Sequence, residues 1–314
     1  MPFATDKIAI VIPTIGRCDE LRRMLQSLAQ QTRRPDQVVL VDEAGEGNTL
    51  AREFPQLNIS VTTFPRGSAS AKRNRGVELV ASDIELIGFM DDDIILEPQA
   101  VEAMLDFWKD APEDTGGASC NWMNLPPLSA SRLKSLPFVS RWGLYDPRGS
   151  LVMRSGFQTI FRSVPEDRYV QWLPSGGAIY PRRILQEGLF DEWFQDYGFL
   201  EDLDFSYSVG KKHRLAIVAA ARTYHYPSKI GRPNWYLFGK KEVINRLYFV
   251  SKHQEFSRPL CCLALFVRMF LTTFEAVKRL EAGRLKRVAG NLVGLALVVK
   301  GGLTGCGKTP QLSS

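Results

Sequence analysis

Four short, largely apolar runs in the first ninety residues constrain the fold more than any other feature of this chain: Ile8–Ile12, Val38–Val41, Ile59–Phe64 and Ile84–Met90. All four read as strands, and the continuous apolar character of the first two marks them as buried on both faces. Helical patterns lie between and after them. Cys18, Leu21, Leu25 and Leu28 recur at three- and four-residue steps beside Asp19 and Glu20, and Ala71–Val80 reads as a second helix. Pro98 then opens a third, with Val101, Met104, Leu105 and Trp108 on one side. Alternating strand and helix predicts an α/β fold with a mostly parallel sheet flanked by helices.

Downstream the pattern loosens. Residues 116–172 are rich in Pro, Ser, Arg and aromatics and read as loops or short strands, a kind of stretch that is more often functional than idle in a compact domain. Periodicity returns after the Gly176-Gly177 pair, with helices expected at 181–188 and 201–211 and a strand near 215–219. Past residue 226 the character changes. Segment 235–252 interleaves aromatic and aliphatic residues with Lys and Arg, while 259–274 and 288–299 are apolar stretches, the first broken by Arg268. Both fall short of the roughly 20 apolar residues of a spanning helix, so they read as helices lying at a membrane surface or capping the domain. Two domains are expected, a catalytic one over 1–226 and a helical extension over 227–314.

Charge follows the same division. From Pro227 onward 15 Lys and Arg face 4 Asp and Glu, a net of +11, whereas residues 1–226 carry 25 against 30, a net of −5. A basic tail on an acidic body invites an anionic surface. Nucleic acid is not expected, because the acidic body has no compact basic recognition helix. Five cysteines without C-x-x-C spacing point to reduced thiols rather than a disulfide framework or zinc site. The Asn58-Ile59-Ser60 sequon matters only in a secreted protein, and Ile8–Ile12 is too short for the apolar core of a secretion signal.

The chemistry concentrates at two acidic clusters. At Asp91, Asp92 and Asp93 an apolar strand runs into three carboxylates, then turns apolar again at Ile94-Ile95. Such a cluster is electrostatically costly without a bound cation. Oxygen ligands suit a hard ion, Mg2+ or Mn2+, which uses one or two carboxylates together with substrate phosphates. The carboxyl end of a strand is also where α/β sheets bind ligands. Glu201, Asp202 and Asp204 form the second cluster, at the start of a helix. There the helix dipole would stabilise them, or one could serve as a general base.

These features together resemble the family 2 glycosyltransferases of the GT-A fold, over residues 7–226. The resemblance rests on IAIVIPTIGR (8–17), VDEAGEG (41–47), GSASAKRNRGVELV (67–80), MDDDI (90–94), the stretch from Ser175 to Phe205, and His225. It implies that Thr14, Arg17, Asp42 and Glu43 cradle the nucleobase and ribose, and that Arg73 helps to place the diphosphate. Asp91 and Asp92 would lie on the nucleotide side, with Asp91 facing the ribose. Asp93 would ligate the metal, with His225 adding a metal or phosphate contact. Asp202 would take a proton from the acceptor hydroxyl, and Glu201 would shape the acceptor site. The implied activity is inverting transfer from a UDP- or dTDP-sugar to a lipid-linked or cell-surface glycan, at the inner face of the cell membrane. Glu43 stands where the family usually has a second Asp, Ala44-Gly45 replaces Gly-Ser, and Ser208 occupies a position that is often Arg. Asp93 and Asp202 are expected to face one cleft.

Two rival readings are a nucleotidyltransferase, which usually needs a glycine-rich basic loop directly after the first strand, and a non-catalytic membrane or nucleic-acid binding module. GLTGCGKT (302–309) fits a P-loop pattern, but such a loop needs a helix immediately behind it to face a phosphate, and with Pro310 following, the match is expected to be a coincidence of a Gly-rich tail. His213 and His253 lack ligand spacing. Trp142, Trp172 and Trp193 could stack on sugar rings, though such residues more often fill cores.

Overall fold

The computed structural model describes residues 7–65, 67–125, 146, 148–159, 162–196, 198–231 and 234–301. Two compact units emerge: Met1–Pro127, Phe161–Glu192 and Glu201–Gly231 form one, and Leu128–Ile160, Trp193–Leu200 and Arg232–Ser314 the other. The second unit thus draws on two stretches upstream of residue 226 as well as on the chain from Arg232 onward. Trp142 and the 302–309 motif lie outside the described residues.

The first unit is built on a mixed sheet. Its strands are β1 (Ile8–Thr14), β2 (Gln37–Asp42), β3 (Ile59–Thr63), β4 (Leu86–Phe89), β5 (Ile94–Leu96), β6 (Thr115–Trp122), β7 (Arg168–Val170), β8 (Ala178–Pro181) and β9 (Arg214–His225). They run in the order β3-β2-β1-β4-β8-β6-β9-β5, with β7 also paired to β9. The β3-β2-β1-β4 half is parallel, as the alternation of strand and helix implies. Its partner strand β8 is antiparallel, and so are β5 and β7 against β9, whereas β6 and β9 run parallel.

Around the sheet lie α1 (Cys18–Ala29), α2 (Gly47–Arg52), α3 (Ala69–Glu78), α4 (Ala100–Asp110), α5 (Arg182–Glu187) and α6 (Glu201–Gly210). The contiguous apolar run of β1 has a direct cause. Ile8, Ile10 and Ile12 join Leu21, Leu25, Leu28 and Trp108 in one core, while Ala9 and Val11 join Val39, Val41, Phe89 and Tyr180 in a second on the opposite face. A strand between two cores must be apolar at every position. On the second face α3 comes very close to β1: a Cβ at Gly76 would meet Val11 Cγ1 at 2.2 Å, so only glycine fits.

The second unit contains α7 (Trp235–Lys252), α8 (Arg258–Arg279) and α9 (Ala282–Gly301). Asn234 and Ser257 cap the first two, each accepting a hydrogen bond from the backbone N–H three residues on. Gly239 and Gly290 let α7 and α9 approach backbone to backbone; added Cβ atoms would lie 2.0 Å from the carbonyl oxygens of Arg287 and Tyr236. The buried Glu242 of α7 holds all three helices together. It pairs with Arg268 of α8 at 2.7 Å and with Arg287 of α9 at 2.7 Å, and it accepts a hydrogen bond from Asn291 at 3.2 Å.

Candidate active site

The turn between β4 and β5 carries the three aspartates, whose side chains diverge. Asp92 is buried and accepts hydrogen bonds from Thr14 Oγ1 and Arg17 Nη1, both at 2.8 Å. Burial pushes its carboxyl up to about 6, against the opposing pull of Arg17 and Thr14. Asp93 is also buried. The pairing of Ile94 with His225 sets it beside the end of β9, where its Oδ1 lies 3.1 Å from His225 Nε2. That contact is close but poorly aligned, so Oδ1 keeps an unused lone pair, while Oδ2 accepts the Ser228 N–H at 3.0 Å. Burial alone would raise Asp93, but His225, the Ser228 N–H and Arg17 together hold it below the ordinary carboxylate range.

Supports for this side come from far along the chain. Asn124 exchanges hydrogen bonds with both backbone groups of His225, at 2.8 and 2.9 Å, and the imidazole packs on Trp122 at a centroid distance of 4.8 Å. Ser228 Oγ donates to Glu20 at 2.9 Å, and Arg17 reaches the carbonyl of Ile230 at 2.6 Å. The segment after β9 is thereby held against the loop after β1.

Asp91 faces the other way. Its carboxylate accepts from Arg73 Nη2 at 3.1 Å, while Arg73 Nη1 donates to Glu201 at 3.0 Å. The guanidinium is buried over the ring of Phe190, 5.4 Å from its centroid, and stays charged because two carboxylates outweigh its desolvation. Gly176 makes room for Asp91; a Cβ there would meet its Oδ2 at 2.7 Å. Arg73 therefore joins the end of β4 to the start of α6. Beside this bridge, burial and the charge of Glu201 push Asp202 up to about 7, against the opposing pull of the Leu203 N–H and Arg73. A carboxylate that ionises near neutrality is a far better proton acceptor than an ordinary aspartate.

The remaining sequence candidates occupy the loop after β2. Asp42 is buried and turns inward, accepting the N–H groups of Ala44 and Gly47 at 2.9 and 2.7 Å. Glu43 pairs with the buried Lys72 at 2.5 Å. Trp172 is buried, and Trp193 is stacked on Tyr248 at 3.6 Å, so one face of its ring is covered. His213 lies 3.5 Å from Glu187, and His253 is buried against Phe249 and Phe256. The described cysteines are free thiols.

Sequence reasoning missed Lys72 and Asn74. Lys72 also reaches the Thr14 carbonyl at 3.5 Å, and Asn74 clamps Phe190 through its backbone while bonding Glu192. Their only local signal is the run Ala71–Arg75, where consecutive polar residues of one helix must face different partners. Among the described residues no group of three or more His, Cys, Asp or Glu could hold a metal ion. Asp93 and His225 do fit a divalent cation. They supply an unused buried oxygen and an adjacent imidazole nitrogen, leaving the other positions to substrate oxygens and water.

Comparison with known proteins bears on the family and the fold. The sequence model of Glycosyl transferase family 2 matches residues 9–136. The uncharacterized glycosyltransferase YwdF of Bacillus subtilis is 34% identical over 100 residues, 31% of this chain and 37% of that protein. Across the curated relatives the matched stretches span 35% to 49% of the relative's own length. Among solved structures, S. aureus TarS in complex with UDP-GlcNAc covers 94% of this chain and 92% of its own, at 14% identity and TM-score 0.54. The mannosyltransferase PcManGT from Pyrobaculum calidifontis, in complex with GDP-Man and Mn2+, covers 94% of this chain and 76% of its own, at 15% identity and TM-score 0.52. The fold is GT-A.

Proposed function

Because residues 9–136 match the sequence model of Glycosyl transferase family 2, we propose that this chain is a member of that family and moves a sugar from a UDP- or dTDP-sugar to a hydroxyl group of a lipid-linked or cell-surface glycan, with inversion at the anomeric carbon. The observation that carries this reading is the Arg73 bridge between Asp91 and Glu201, which holds the aspartate turn and the start of α6 together. The nucleotide and the acceptor would meet at that junction.

Each residue then has a task. Thr14 and Arg17 fix Asp92, and with it the shape of the aspartate turn. Asp42 shapes the loop after β2, and the Lys72–Glu43 pair sets the polar edge presented to the nucleobase and ribose. Asp93 and His225 would hold Mg2+ or Mn2+, consistent with PcManGT and its Mn2+. Such an ion, when bound, neutralises the charge that builds on the departing nucleoside diphosphate. Asp202 accepts the proton of the acceptor hydroxyl while that oxygen attacks the anomeric carbon from the face opposite the leaving group. One base on one side suffices for inversion, with no covalent intermediate. Glu201, locked by Arg73, lines the acceptor side and raises the basicity of Asp202.

A screen of nucleotide sugars with Mn2+ and product detection, run on wild type and Asp93→Ala, tests the reading. Release of UDP or dTDP by wild type and its loss in the variant supports transfer. Formation of an activated sugar from a sugar phosphate would instead mark a nucleotidyltransferase.

A further inference from the structure

The long helix α8 presents two unlike faces. Cys261, Ala264, Leu265, Met269 and Ala276 are buried within the second unit. On another side Leu263, Phe266, Val267, Phe270, Phe274 and Val277 are exposed, Phe270 to 71% and Phe274 to 60%. At about 100° per residue these six fall within an arc of about 100°, and every charged residue of the helix lies outside it. Six large apolar side chains in one uninterrupted stripe exceed what scattered surface hydrophobes explain.

We propose that this stripe is a docking face for an anionic lipid surface, with α8 lying in the headgroup region rather than crossing the bilayer. Three observations on this unit argue for that occupant. Positive charge accompanies the stripe: Lys278 is exposed at the edge of its arc on α8, Lys286 and Lys300 are exposed on α9, and the chain from Pro227 onward carries the net +11 noted above. The same excess opposes a second copy of this unit, because two such faces repel. Exposed aromatics, Trp235 and Tyr236, open α7 and suit the boundary between water and hydrocarbon.

Crossing is disfavoured, although α8 is long and apolar enough for it. A third of its apolar window (33%) is buried within the protein, and Arg268 in its middle reaches Glu242 at 2.7 Å. A helix committed on one face to polar partners can sink its other face only part-way into lipid. This surface is independent of the transfer reaction and stands or falls separately.

Flotation of the full chain with vesicles tests it, comparing pure phosphatidylcholine with a mixture containing phosphatidylglycerol. Wild type should float with the anionic vesicles and be released by salt. Phe270→Ser/Phe274→Ser should bind them at least about tenfold less, with circular dichroism unchanged because both side chains are exposed. Lys278→Glu/Lys286→Glu should weaken anionic binding without altering the fold. Wild type that stays with the buffer, or a double-serine variant that floats like wild type, would overturn the proposal. So would a vesicle-free dimer that the double-serine variant converts to monomer.

Discussion

At the scale of single residues, Arg73 and Asp202 carry the sharpest consequences. Arg73 is buried between two carboxylates, so Arg73→Met leaves Asp91 and Glu201 facing each other uncompensated. Removing one partner of such a buried group costs about 3–5 kcal/mol, which denaturant unfolding should register; a loss below about 1 kcal/mol would mean that water screens the cluster. For Asp202 the sign is fixed by a folded pKa raised to about 7 from the model-compound 3.8. The transfer rate should climb as pH rises through about 7 and then level off, because only the carboxylate accepts a proton. Stability runs the other way. Its favourable share is complete below the unfolded pKa and is lost as pH rises through the folded one. Asp202→Asn should therefore be more stable than wild type at alkaline pH, by about 1–2 kcal/mol after allowance for solvent screening, with the gain shrinking in acid. Equal melting temperatures across that range would contradict the raised pKa. These carboxylates were legible in the sequence because charge beside apolar runs stands out. Lys72, Asn74, Asn124 and Ser228 were not. Their roles depend on partners such as Glu43, Phe190, His225 and Glu20, which only the fold brings to them.

At the scale of elements, the tight seat of α3 on β1 positions Arg73. Gly76→Ala places a methyl group against Val11, which costs about 1–3 kcal/mol through overpacking; Val11→Ala in the same chain should recover much of it. Additive losses in that double-mutant cycle would show that the two sites do not touch. In the second unit, Glu242→Leu removes the common partner of Arg268 and Arg287 and leaves both guanidiniums near a buried apolar group. Unfolding of that helical unit should shift by several kcal/mol, and an unchanged transition would argue that the three helices are held by packing alone. The elements that could be read from the sequence are those with a continuous physical signature. Strands β1, β2 and β4 lie between two cores, and α1 and α4 each show one apolar face. Those that escaped are short or masked by local chemistry. Three-residue β5 follows the aspartates, and β8 is announced only by Gly176-Gly177 and ends in proline. The direction of the strands in the mixed half of the sheet was hidden as well, since its antiparallel pairings join strands far apart in the sequence, β4 with β8 and β5 with β9.

At the scale of the whole molecule, charge separates two tasks along one chain. The acidic portion up to residue 226 holds the carboxylates of the candidate site, and the basic portion beyond it carries the exposed apolar stripe. Their total of +6 conceals both. Lipid binding and sugar transfer should accordingly respond to different substitutions: a serine pair on α8 should leave turnover of a soluble acceptor unchanged. The claim on which the catalytic account depends is that Asp202 acts on the acceptor and not on the donor. Its most direct measurement is sugar transfer and nucleotide-sugar binding side by side for wild type and Asp202→Asn. Transfer should fall by about 10²–10⁴-fold while donor affinity stays within about threefold; transfer that survives the substitution, or donor binding lost along with it, would contradict the account.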